Sequence, residues 1–273
     1  MQRRNRGQAV EPNEPARPGP AEGRGMNVPW KIGCAGFHMK IESYLQRFDA
    51  VEVQQTFFDP PALRTLARWR QAAPEGFSFV LKAWQLITHP ADSPGYPKIQ
   101  RPWAREKAAR YGHFQDGEPV REAWATLREC AEALQAGAIL FRTPASFTPS
   151  EVNRRNMTRF FSSMERNGRH LVWDPEGVWQ DEEVRRICHE LGLIPAQDPL
   201  LASPEAGEVF YFRMKPKTRG RGAYGPDDFY RILEAVEAGG DAPGRRGYVI
   251  WNTGQPDRDA KRFQDWLRRT LAA

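Results

Sequence analysis

Eight short apolar runs punctuate the chain, at residues 31–34, 50–53, 77–81, 138–141, 171–173, 193–196, 209–212 and 248–251. Each is continuous rather than alternating, the pattern of a parallel strand covered by helices. Helical spacing fills most of the gaps. Apolar residues recur at three- and four-residue intervals in Trp124, Leu127, Ala131 and Leu134, in Met157, Phe160, Phe161 and Met164, and in Val184, Ile187, Cys188 and Leu191. Phe229, Ile232, Leu233 and Val236 form a fourth stripe, and Ala260, Phe263, Leu267 and Leu271 a fifth; each marks one buried helix face. Strands alternating with helices predict an α/β fold, a TIM-like (β/α)8 barrel in a single domain. Thr148-Pro149-Ser150-Glu151 reads as a capping box with Pro at the first helical position. Gly137, Gly168, Gly192 and Gly239 stand where left-handed caps would end helices.

Two stretches break the rhythm. Pro195 removes one donor from the sixth strand's ladder. The sixth β/α unit is therefore expected to be irregular, a short strand followed by a loop or one helical turn over 198–207. The longest irregular stretch, 89–117, follows the third strand and should hang over the carboxyl-end face of the barrel. It interleaves Lys98, Arg101, Arg105, Lys107 and Arg110 with Tyr96, Trp103, Tyr111 and Phe114. Such a mixture either cradles a nucleotide or nucleic-acid strand or forms a solvated lid with a few aromatic anchors. Residues 1–27 are rich in Arg, Pro, Glu and Gly and lack the apolar surface to offset ordering entropy. They read as a disordered tail, leaving 28–273 for the barrel.

Composition narrows the classes. The 273 residues fit one barrel of roughly 250 residues plus that tail, a size that needs no metal or disulfide to hold its core. Cys34, Cys130 and Cys188 are odd in number and follow no paired spacing, which suits a reducing, cytoplasmic location. No apolar stretch approaches the roughly 18 residues of a membrane span, and the N-terminus lacks the apolar segment of a secretory signal. The net charge is +6, and the tail's five Arg and three Glu leave +4 on the rest. That is mildly basic for a dedicated nucleic-acid binder. Arg outnumbers Lys 32 to 8, but Ala, Pro and Gly are abundant too, as a GC-rich genome would dictate. Nothing in the sequence sets the oligomeric state.

Candidate chemistry gathers where the strands should end. Glu52 lies in the second strand; Lys82 ends the third, with His89 seven residues on; Arg142 ends the fourth and Asp174 the fifth. Gln197 and Asp198 end the sixth strand, Arg213 and Lys215 the seventh, and Asn252 the eighth. Strand ends are polar in any barrel, because they meet water, but a closed ring would bring these side chains to one mouth. Lys82, Arg142 and Arg213 would make a floor suited to phosphate or carboxylate. A divalent metal has weaker support. The five histidines show no ligand spacing, so Mg²⁺ or Mn²⁺ would depend on Glu52, Asp174 and Asp198. The chain carries no P-loop, nucleophile elbow, dinucleotide fingerprint or zinc-protease motif.

Several segments together resemble the YecE-like family, domain of unknown function 72. Phe79-Val80-Leu81-Lys82-Ala83-Trp84-Gln85-Leu86-Ile87-Thr88-His89 is similar to its F-x-x-K…I-T-H signature. Val51-Glu52-Val53-Gln54-Gln55-Thr56-Phe57, Phe141-Arg142-Thr143-Pro144-Ala145-Ser146-Phe147 and Trp173-Asp174-Pro175-Glu176-Gly177-Val178-Trp179 resemble three further segments. The resemblance spans about residues 30–271 and implies a TIM-like barrel. It supplies no activity; shape kinship to endonuclease IV and xylose isomerase barrels implies nucleic acid or sugar phosphates by analogy alone. The chain departs from the family pattern at Gln54, Arg142, Asp174 and Glu176, where the family has Asn, Gln, Glu and Arg. Lys215 replaces a histidine.

Two functions follow as expectations. In the first, the protein is an enzyme acting on a phosphoester, sugar phosphate or other small anion. Glu52, Lys82 and His89 are then catalytic, and Arg142, Asp174, Arg213, Lys215 and Asn252 bind substrate. Lys82 is also placed where a Schiff base with a carbonyl substrate would fit. In the second, the protein is a non-catalytic nucleic-acid or nucleotide binder that uses the basic and aromatic stretch 89–117.

Overall fold

Continuous apolar runs bury both faces of a strand, so helices must cover the outer one, and parallel pairing with intervening helices is the arrangement that allows it. The computed structural model describes residues 29–201, 207–217, 223–238 and 246–272. The eight strands are β1 (Trp30–Ala35), β2 (Ala50–Val53), β3 (Ser78–Lys82), β4 (Ala138–Thr143), β5 (His170–Pro175), β6 (Ile194–Gln197), β7 (Val209–Met214) and β8 (Arg246–Trp251). All pair in parallel, in chain order, and β8 closes on β1 from Trp30↔Gly247 to Cys34↔Trp251. Around them lie α1 (Ile41–Arg47), α2 (Gln55–Phe58), α3 (Leu63–Ala72), α4 (Gln85–Thr88), α5 (Glu118–Leu134), α6 (Glu151–Ser162), α7 (Asp181–Leu191), α8 (Pro226–Ala238) and α9 (Pro256–Leu271). This is a TIM barrel.

Strand alternation divides the core in two. Ile32, Cys34, Val51, Phe79, Leu81, Phe141, Trp173, Phe212 and Trp251 face outward and join the helices in one large apolar cluster. Ala35, Ala50, Val80, Ala138, Leu140, Val172, Tyr211, Tyr248 and Ile250 fill the barrel lumen. The lumen is tight at β1 and β2, where a Cβ on Gly33 would sit 1.9 Å from the Ala50 carbonyl oxygen. Hence β1 approaches β2 only with glycine there.

β6 is short and half-buried, and it pairs at two positions with each neighbour. Pro195 cannot donate to a ladder, which accounts for the brevity. Among the described residues no helix lies between β6 and β7.

Several local readings shift. Ser150, rather than Thr148, caps α6, its hydroxyl accepting from the Asn153 amide at 3.2 Å. α5 ends on left-handed Gln135 (φ 50°) instead of Gly137, and α7 ends on Gly192 (φ 60°) as expected. Gly168 is left-handed but lies in the turn beyond α6. Leu271, placed by periodicity on the buried stripe, is exposed in the last turn of α9. The stretch 89–117 contains two short 3-10 turns, Tyr96–Lys98 and Arg105–Arg110. All three cysteines are buried. The 1–27 tail and Gly239 lie outside the described residues.

Candidate functional site

On five strands the lumen side continues, two residues beyond the last apolar layer, into a polar one. Ala50 leads to Glu52, Val80 to Lys82, Leu140 to Arg142, Val172 to Asp174 and Tyr211 to Arg213. Side chains two apart share a strand face, so five residues whose first and last members are 161 positions apart form one ring at the carboxyl ends of the strands.

Glu52 is its centre, fully buried. Arg213 grips it with two parallel bonds, Nε to Oε2 and Nη2 to Oε1, both 3.0 Å. The Tyr211 hydroxyl donates to Oε2 at 2.9 Å, and the Gln54 amide donates to Oε1. Arg213 Nη1 reaches Asp174 Oδ2 at 3.4 Å, and Arg142 Nη1 reaches the same oxygen at 2.7 Å. Arg142 extends outward to Glu176. Burial would push the Glu52 carboxyl up, but Arg213, Lys82 and Tyr211 together bring it down to about 2. Burial would likewise lower Arg213, yet Glu52 and Asp174 hold it above its ordinary value.

Lys82 stands apart from this network. It is 9% exposed, and its ammonium makes no hydrogen bond or ion pair among the described residues. Its Nζ lies 4.0 Å from the centre of the Phe57 ring. The buried Thr56 hydroxyl, 2.9 Å from the Val53 carbonyl and 2.7 Å from that of Lys82, ties α2 to β3 and so sets Phe57 over the amine. Burial, reinforced by Arg213 and Arg142 and opposed by Glu52 and Asp174, brings Lys82 down to about 8. His89 packs edge-on against the other side of this corner, its ring 4.9 Å from that of Phe57. Its Nδ1 lies 2.8 Å from the Thr88 hydroxyl. Burial first, then Lys82, Arg142 and His113, bring His89 down to about 3, so the ring is neutral at physiological pH.

Of the residues expected at the mouth, Glu52, Lys82, Arg142, Asp174 and Arg213 therefore meet, with His89 beside them. Lys215 is exposed beyond β7 and neighbours Asp198 instead. Asn252 is half-buried, its backbone amide bonded to the Met214 carbonyl at 2.9 Å, and among the described residues its side chain joins no network. Glu52, Asp174 and Asp198 do not gather, and among the described residues no three His, Cys, Asp or Glu side chains are grouped as a metal would need. Sequence reasoning missed Tyr211 and Phe57. The first was findable, since it lies two residues before Arg213 on the same strand face. Two surface grooves, of about 450 Å³ between α5 and α6 and about 280 Å³ between α8 and α9, do not touch the ring.

In the stretch 89–117 the aromatics face inward. Tyr96, Tyr111 and Phe114 are buried, and Trp103 is wedged between Tyr96 and Tyr111 at 5.2 and 5.5 Å. Lys107 pairs with Glu118 at 2.8 Å. Left-handed Gly112, His113 and Phe114 donate their amides to the carbonyls of Leu86, Thr88 and Ile87, clamping the stretch onto α4 beside His89. No helix among the described residues is long and apolar enough to cross a membrane.

A closed parallel barrel whose strand ends converge on charged groups is the TIM-barrel class, with its candidate site on the usual face. Residues 31–273 match the family described as protein of unknown function DUF72, and the chain belongs to it. A DUF72 family protein from Enterococcus faecalis V583 superposes with a TM-score of 0.63 at 16% identity, covering 90% of this chain and 98% of that one. A second, from Thermotoga maritima MSB8, gives 0.60 at 17%, covering 88% and 99%. A xylose isomerase domain containing protein from Salmonella typhimurium LT2 gives 0.51 at 13%, covering 91% and 98%. These likenesses establish the barrel alone. No curated protein matches the chain.

Proposed function

We propose that the protein is an enzyme that binds a phosphorylated or otherwise anionic small molecule at the carboxyl-end face of the barrel. One observation carries the reading: the Lys82 ammonium is buried beside two arginines without a direct ion pair, and the more distant Glu52 and Asp174 offset its burial only in part. A buried cation lacking its partner is costly, and an anionic ligand would supply the partner. Arg142, half-buried at the outer edge of the ring, would take a second anionic oxygen. Glu52, with both oxygens engaged, would hold Arg213 in place, leaving His89 to offer a neutral ring nitrogen to the substrate. The nucleic-acid alternative retains exposed Arg105 and Arg110 but lacks free aromatic faces on which bases stack.

Thermal melting of the full chain in rising inorganic phosphate, then in a panel of phosphate monoesters, tests this, since a ligand of the native state raises the melting temperature. Lys82→Met and Arg142→Gln should each weaken phosphate binding by about tenfold or more, the loss of one charge-assisted bond. Arg105→Ala with Arg110→Ala should leave it unchanged. The opposite ranking, with oligonucleotide binding that collapses between 50 and 200 mM salt as it does for multi-phosphate contacts (roughly thousandfold), would transfer the function to the stretch 89–117.

A further inference from the structure

We propose that Lys82 forms a covalent imine with its substrate, its Nζ condensing with the carbonyl carbon of a small anionic aldehyde or ketone held at the barrel mouth. The inference rests on the anion-site reading and narrows it to a substrate that carries both a carbonyl and a negative group.

Three observations converge on it. The amine is desolvated and has no direct ion pair: every other charged side chain of the ring has an ionic partner in contact, while the Lys82 Nζ lies against the Phe57 ring and feels Glu52 and Asp174 only at longer range. An ammonium locked in an ion pair cannot act as a nucleophile, and one exposed to water stays protonated; Lys82 is neither. Its position is also fixed, because Thr56 ties the Lys82 carbonyl to α2 and so brings Phe57 over the side chain. Finally, the groups around it divide the work. Arg142 reaches the outer edge, where the substrate's anionic end would lie, and His89 stands at the Phe57 side as a neutral proton relay. The lowered lysine value of about 8 makes the neutral fraction at pH 7.5 roughly two hundred times that of an ordinary lysine.

The step balances without an oxidant or reductant. The lone pair of neutral Nζ bonds to the carbonyl carbon, and the carbon–oxygen π pair moves to oxygen, which takes a proton. After a second proton transfer the oxygen leaves as water and the nitrogen–carbon double bond forms. Overall, one ammonium and one carbonyl give one iminium and one water.

The test incubates the full chain at pH 7.5 with dihydroxyacetone phosphate or glyceraldehyde 3-phosphate, adds borohydride, and maps the reduced adduct by peptide mass. Lys82 should carry it in at least about tenfold excess over any of the seven other lysines. Unfolding in urea should abolish the preference, and Lys82→Arg should remove the adduct. An adduct confined to other lysines, or none, while phosphate still raises the melting temperature, overturns the imine and leaves the anion site standing. Equal labelling of Lys82 by uncharged glycolaldehyde supports the imine and overturns the anion site. No adduct and no phosphate shift overturns both.

Discussion

The barrel mouth has two halves that treat buried charge in opposite ways. Around Glu52, every charge is answered: Arg213 by Glu52 and Asp174, Arg142 by Asp174 and Glu176. Around Lys82, burial outweighs the longer-range pull of Glu52 and Asp174, and an aromatic face stands where a paired carboxylate would be expected. The first half resembles a scaffold, in which desolvation is offset by geometry. The second stores an unfavourable state, and strongly perturbed groups of that kind concentrate where chemistry is done. Residues of one polar layer thus differ in how fully the protein itself answers their charge.

The largest expected effect breaks the answered half. Glu52→Gln leaves the buried Arg213 charge with only its longer contact to Asp174 and should cost about 3–5 kcal/mol in urea denaturation. A loss under about 1 kcal/mol would mean the pair is not structural. Lys82→Met should do the reverse, raising stability at pH 7 by about 1–3 kcal/mol. The sign follows from the lowered lysine value. Below about 8 the amine is charged in both states and its burial cost is fully felt; between about 8 and the ordinary 10.5 only the unfolded chain keeps the proton. Wild-type stability therefore climbs across that window and the advantage of the methionine variant fades. A variant less stable than wild type at pH 7 would show that Lys82 has an internal partner after all. The smallest effect concerns His89. Its folded value of about 3 lies below the ordinary 6.5, so its stabilisation is complete above 6.5 and falls away towards 3. Between about pH 6.5 and 5.5 the Glu52 contribution is nearly constant, and there His89→Phe should flatten the stability profile by up to about 1.2 kcal/mol per pH unit. Parallel profiles would show that the ring protonates without penalty.

The fold was legible because parallel strands announce themselves as apolar runs; even Pro195 foretold the weak sixth strand. Cap positions were less legible, since Gln135 adopts a left-handed conformation where glycine two residues later looked the better candidate. At the mouth, strand ends identified which residues could meet, but not which would pair. Lys215 and Arg213 are two apart in sequence, yet only Arg213 lies within the strand; β7 ends at Met214 and leaves Lys215 to solvent. The isolation of Lys82 is invisible in one dimension, because it depends on Arg213 being nearer to Glu52 than the lysine is.

Closure of β8 on β1 has a consequence for biosynthesis. The amine near residue 80 leaves the ribosome long before the strand near residue 250 that completes the lumen. Until then water reaches it and keeps it protonated, so if Lys82 forms an imine, the nascent chain's amine would react no faster than any other lysine and its added reactivity would arrive only with the finished ring.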